Sequence, residues 1–251
     1  TGTNNTGVGV NSLQANTTAG DNTAVGRNTL LSNTTGAGNT AIGSRALDAN
    51  TTASNNTAVG FDALTANTTG ASNTGLGVYG LYVNTTGGSN TAVGYASLFS
   101  NTTADLNTAV GHTALYANTD GHTNTAVGSE AGKAITTGDE NVVIGHGALD
   151  GGTTVNGNTA VGTDTMASAS YAGSYNTAVG YNALLVSTTG SGLTAVGNQA
   201  LDANTTASNN TAVGSGALGA VTTGGTNTAV GWGAGDAITT GSQNVIVGYN
   251  C

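Results

Sequence analysis

Polar and apolar residues alternate along this chain in one short motif that recurs from end to end. The motif is N-T-A-V-G with close variants, starting at Asn5, Asn22, Asn39, Asn56, Asn73, Asn90, Asn107, Asn124, Asn141, Asn158, Asn176, Leu193, Asn210, Asn227 and Asn244. Successive starts lie 17 residues apart, with one step of 18 between Asn158 and Asn176. Each T-A-V segment has the period-two alternation and β-branched residues of a short strand. The glycine that follows it and the Asn-Thr-Thr-Gly stretch further on are turn formers. Seventeen residues are too few for a helix-pair repeat, so the pattern predicts an all-β fold. The expected architecture is a parallel β-solenoid or β-roll of about fifteen 17-residue coils, one per repeat, running as a single array over residues 1–251. At ~4.8 Å per coil such an array is a rod ~70 Å long.

With the consensus N-T-A-V-G-x-x-A-L-x-A-N-T-T-G-x-x numbered 1 to 17, alternation assigns faces. Position 4 is Val, Ile or Leu in every copy (Val8, Val25, Ile42, Val59, Leu76 and onward). It is therefore expected to face the interior together with position 2, leaving the alanines of position 3 (Ala24, Ala41, Ala58, Ala92, Ala109) outside. Position 9, Leu in most coils, is expected to supply a second buried row, and the glycine at position 5 a corner of positive φ. Asparagines at positions 1 and 12 are placed to form coil-to-coil ladders. In two coils Gly132 and Gly235 replace the position-9 leucine. The volume is expected to be restored by Ile135 and Ile238, with Val142 and Val245 in the following strands. In the 18-residue coil, Ser170 to Tyr175 replace the usual T-T-G-x-x, and the extra residue is expected to form a bulge on a coil edge.

Composition narrows the chemistry. Charged residues are 6% of the chain, against ~25% in an average globular domain, so catalytic and ionic groups are scarce. The net charge is −9 and the three basic residues, Arg27, Arg45 and Lys133, are far apart. A nucleic-acid binder needs a basic stripe, so that class is set aside. No apolar run is long enough for a membrane span. The sole cysteine, Cys251, has no partner for an internal disulfide. His112, His122 and His146 do not converge in the coil numbering, the acids are mostly solitary, and no nucleophile–base or phosphate-cradling pattern occurs. No enzyme, metal site or cofactor is expected. The N-x-T sequons, Asn16, Asn33, Asn50 and Asn204 among them, follow from the repeat, and the ladder accounts for them better than glycosylation.

The variable positions are where recognition would lie. Position 10 places Tyr82, Phe99 and Tyr116 in one row over three consecutive coils, with Tyr79, Tyr95 and His112 on the neighbouring turn. An aromatic row on a polar fibre offers rings to sugars or to a partner's surface, and it also stabilises itself by stacking. These six residues are the candidate ligand site.

The motif N-T-A-V-G-x-x-A-L-x-x-N-T-T-G, with I-T-T-G-x-x-N-V-x-I-G at Ile135 to Gly145 and Ile238 to Gly248, resembles the repeats of tail-fibre-domain proteins of bacteriophages and aquatic bacteria. Its five-residue strand is also similar to that of trimeric autotransporter adhesin heads. The repeat shape, the scarcity of chemical groups and this resemblance together lead to the expectation of a non-enzymatic fibre segment, extracellular, on a cell surface or on a virion, with the aromatic row as the place where a host-surface glycan would be met. A homotrimer packed through the alanine face is expected, because a coil with so thin a core gains by burying that face. Neither end has a capping unit, and Thr1 to Asn4 with Asn244 to Cys251 supply twelve of seventeen coil positions (4 + 8). Those ends imply either a fragment or an end-to-end filament subunit, which is the alternative function. An ice-binding solenoid, from the threonine rows at positions 13 and 14, is a more distant one.

Overall fold

A computed structural model describes residues 2–251. Backbone proximity divides the chain into two compact units, Thr1–Thr123 and Asn124–Cys251. The first contains β1 (Thr6–Val8), β2 (Thr23–Val25), β3 (Thr40–Ile42), β4 (Thr57–Val59), β5 (Thr74–Leu76), β6 (Thr91–Val93) and β7 (Thr108–Val110). The second contains β8 (Thr125–Val127), β9 (Val142–Ile144), β10 (Thr159–Val161), β11 (Thr177–Val179), β12 (Thr194–Val196), β13 (Thr211–Val213), β14 (Thr228–Val230) and β15 (Val245–Val247). Within each unit every strand pairs in parallel with the next, in register at equal coil positions, as in Thr74↔Thr91 and Ala160↔Ala178. Parallel neighbours need a long crossover, and the remainder of each repeat supplies it. Each unit is thus a β-solenoid, and the described residues contain no helix.

Turns with left-handed backbone close the coil. Gly60 (φ 140) ends β4, and a Cβ there would lie 2.4 Å from the carbonyl oxygen of Gly77 in the next coil, so only glycine fits. The sequence pattern predicts positive φ at this position alone. Positions 7, 9 and 17 adopt it as well, mostly with ordinary side chains, as in Asp62 (φ 57), Leu64 (φ 52) and Asn55 (φ 64). For leucine this conformation costs roughly 1–2 kcal/mol. Full burial of the side chain returns about 1.5–3 kcal/mol, and the backbone is satisfied, with the Leu64 N–H donating to Gly80 O at 3.0 Å.

The interior reverses the expected strand faces. The position-3 alanines are fully buried, Ala24, Ala41, Ala58, Ala92 and Ala109 among them. The position-4 residues point outward, with Ile42 40% and Leu76 44% exposed. The cause is space, because the opposite wall, made by positions 8 and 9, stands close behind the strand. At Gly75 (position 3) an added Cβ would meet Leu64 Cγ at 3.3 Å and Gly80 O at 3.1 Å. A methyl group just fits there, and a valine side chain does not. The alanine row is therefore core and provides no face for packing against another chain.

The same parity corrects the account of the two glycine-for-leucine coils. Val142 and Val245 are exposed, while Ile135 and Val143 are fully buried. At Gly235 a Cβ would lie 2.8 Å from Ile246 Cδ1 and 2.9 Å from Leu218 Cδ2. At Gly235 the position-3 residue Ile246 thus fills the missing leucine volume with Ile238 beside it, and Val143 and Ile135 hold the corresponding buried positions near Gly132.

Asparagine ladders run through the interior as expected. In the first unit the N–H of Asn73 donates to Asn56 Oδ1 at 2.8 Å and that of Asn90 to Asn73 Oδ1 at 2.9 Å. At position 12, Asn84 Nδ2 donates to Asn67 Oδ1 at 2.8 Å and Asn101 Nδ2 to Asn84 Oδ1 at 2.7 Å. The two ladders meet at the position-15 carbonyl, since Gly87 O accepts from Asn73 Nδ2 (2.8 Å) and Asn84 Nδ2 (2.9 Å). In the second unit the 18-residue coil keeps β10 and β11 in register. Its extra residue sits in the corner ahead of β11, outside the strand ladder, where Tyr171 turns inward. The Tyr171 hydroxyl donates to Asn158 Oδ1 at 3.3 Å and accepts from Asn176 Nδ2 at 2.6 Å. Burial pushes this phenol's pKa far above its ordinary value.

The face reversal yields a paired test on β6. Ala92→Asp should place an uncompensated charge in the core and cost several kcal/mol. Val93→Asp, one residue on and facing water, should cost about 1 kcal/mol or less. Thermal melting of the two variants checks this, and equal losses would restore the opposite assignment.

Candidate functional site

The turn that follows each strand carries positions 6 to 11, and its outward positions build the aromatic cluster of the first unit. Position 6 is exposed and position 10 half-buried. The surroundings at position 10 are dry enough that partial desolvation raises the Asp48 carboxyl above its usual pKa. Rings placed there can therefore stack without full solvation.

All six candidate residues come together. Tyr82, Phe99 and Tyr116 form one column, with centroids 5.0 and 5.1 Å apart and planes inclined by 16° and 13°. Tyr95 and His112 form a second stack at position 6, 5.3 Å apart and 11° inclined. Tyr79 belongs to neither column. It sits at position 7 and meets Tyr82 (5.4 Å), Tyr95 (6.0 Å) and Phe99 (6.2 Å) edge-on, which ties the two stacks together.

Three members were missed in sequence. Phe61 packs edge-on to Tyr79 at 5.8 Å, and the Arg45 guanidinium lies 5.2 Å from the Phe61 ring centroid. Arg45 is held in turn by both carboxylate oxygens of Asp62, whose side chain is almost wholly buried. That hydrogen bond raises the Arg45 pKa further. The signal was available, because Arg45 and Asp62 are opposite charges at position 7 of consecutive coils and Phe61 stands at position 6. A smaller version of the device occurs in the second unit, where Trp232 and Tyr249 stack at 4.9 Å.

Stacking decides what the cluster can offer. The faces of Phe99 are covered by Tyr82 on one side and Tyr116 on the other. Phe99 is therefore left with its ring edge to offer, while Tyr82 and Tyr116 carry phenol hydroxyls able to hydrogen-bond a sugar. Among the described residues, no group of three or more His, Cys, Asp or Glu side chains is placed to hold a metal ion, and no helix is long and apolar enough to cross a membrane. No protein-family model, curated protein or solved structure matches the chain.

Tyr79 takes part in four ring contacts and Tyr116 in one. Each is worth roughly 0.5–1.5 kcal/mol beyond area burial. Tyr79→Ala should therefore lower the melting temperature clearly more than Tyr116→Ala, and equal shifts would show that the edge contacts do not link the stacks.

Proposed function

We propose that this chain is a non-enzymatic structural and adhesive segment of a fibre that works outside the cell, on a cell surface or on a virion. Its partners are further copies of itself, as a homotrimer or end to end, and a surface glycan. The observation that carries this reading is a division of labour within the coil. Positions 1, 3, 8, 9, 12 and 15 are mostly buried and vary little, whereas positions 6 and 10 are exposed or half-buried and vary freely. Such a scaffold encodes length and stiffness by repetition and displays side chains at chosen heights. Only over the coils from Phe61 to Tyr116 does the display become a contiguous aromatic cluster. The resemblance of the repeat to tail-fibre-domain proteins supports the same reading.

The cluster favours a neutral glycan. Arg45 is already engaged by Asp62, and the chain is acidic, so an anionic sugar finds no free cation here. The phenol hydroxyls supply the hydrogen bonds. Tyr82→Phe, Tyr95→Phe and Tyr116→Phe together remove three hydroxyls and keep every ring. At roughly 0.5–1.5 kcal/mol per hydrogen bond, binding should weaken by about tenfold or more, with the melting curve unchanged. Glycan-array binding and adsorption to cells check this. Binding that survives both this variant and Tyr95→Ala would leave the cluster a purely structural stack.

A further inference from the structure

The reversal of the strand faces leaves a second surface to account for. In the first unit, Thr23, Thr40, Thr57, Thr74, Thr91 and Thr108 lie in direct register on the outward face of the sheet. Two residues along each strand stands the partly exposed aliphatic residue of position 4. The face consists of two columns about 6.6 Å apart, one of hydroxyls and one of aliphatic side chains, each repeating at about 4.8 Å from coil to coil. It carries only Thr, Val, Ile and Leu, and none of the strands β1 to β7 contains a charged residue.

The threonines of the coil are not equivalent. Those of position 13 are committed internally, since Thr51 Oγ1 donates to Thr68 O at 3.2 Å and Thr85 Oγ1 to Thr102 O at 3.0 Å. Among the described residues no hydrogen bond engages the hydroxyls of Thr23, Thr40, Thr57, Thr74, Thr91 and Thr108, which recur coil after coil through the first unit beside aliphatic side chains. We propose that this Thr-x-Val face binds ice. Its ligand is the ordered water of a crystal surface, met by a column of hydroxyl groups beside a column of aliphatic side chains, both repeating at the coil spacing.

Three features favour this occupant over a second protein chain. A specific protein interface depends on a few large side chains, aromatics and arginine above all, and the outward strand positions of this face hold none of these. Its threonine column is uniform through the first unit, so sliding a partner by one coil along that column would leave register poorly defined. Its rigidity comes from the backbone pairing and the asparagine ladders behind it, so first-layer water can be ordered without the protein first losing conformational entropy. The threonine rows of positions 13 and 14 fit the ligand less well, because the first is spent on internal bonds and Thr103 of the second is bonded to Asp120.

The test uses the full chain. It should produce thermal hysteresis and partition into a slowly growing ice front. Thr57→Lys, Thr74→Lys and Thr91→Lys together should abolish both, with the circular-dichroism spectrum and melting curve retained. The matched control, Thr52→Lys, Thr69→Lys and Thr86→Lys, puts the same three charges at the same spacing on exposed position 14, and should keep both activities. Should the first variant unfold, Thr74→Lys alone is the probe, and it should reduce hysteresis in the folded protein. The proposal is overturned if the unaltered chain is excluded from ice, or if both lysine sets reduce activity equally. It is also overturned if sedimentation shows an oligomer that the position-2 lysines dissociate while the released chain leaves ice growth unchanged.

Discussion

The structure depends on the hydrogen bond that a buried asparagine carboxamide makes to the next coil. A coil of this size encloses too little apolar volume to specify itself. Its interior row of alanines has little shape, and its leucines sit in a backbone conformation that costs nearly what their burial returns. The carboxamide adds direction and register. Asn73 accepts from the Asn90 backbone and donates to Gly87 O, so each coil is pinned both to its neighbour and across its own width. An apolar core of the same size would tolerate slippage, whereas a buried amide out of register loses its partners at about 1–3 kcal/mol each. One site shows how narrow this constraint is. Asn204 Oδ1 is buried without a partner, and position 12 of the following coil is Val221 in place of asparagine.

Everything outside the ladders follows from the room they leave. The strand must approach the opposite wall closely enough for position 15 to accept from both asparagines, which limits position 3 to a methyl group wherever the leucine row behind it is intact and sends the larger aliphatic side chain of position 4 outward. The outward positions of the turn are then free to vary. Rings that happen to fall on consecutive coils come within stacking distance, because the coil repeat sets the ring spacing. The aromatic cluster thus takes its spacing from the coil geometry, with Tyr79 as the joint between its two stacks.

Period, parallel pairing, the position-5 glycine, the buried leucine row and the asparagine ladders were all legible in sequence, because each repeats at fixed spacing. The strand faces were misread by giving hydrophobicity precedence over parity. Asn at position 1 and Ala at position 3 must share a face, so an internal asparagine ladder already implied an internal alanine. The same parity would have turned Val143 and Ile246 inward, near Gly132 and Gly235. Left-handed leucines were not legible, since no sequence preference marks a leucine for that conformation and only burial holds it there. At the aromatic cluster the columns were readable from the coil numbering. The ring orientation was not, because it depends on how Tyr79 leans across from position 7.

Native-state amide hydrogen exchange on Asn73→Ala, set beside the unaltered chain, tests the central claim most directly. The substitution removes the acceptor of the Asn90 N–H and one donor to Gly87 O while leaving the strand residues intact. The Asn90 amide and the strand amides of the two adjoining coils should lose much of their protection, and distant coils should keep theirs. Protection of Asn90 equal to that of the unaltered chain would contradict the account, because it would mean that the coils hold together without the asparagine ladder.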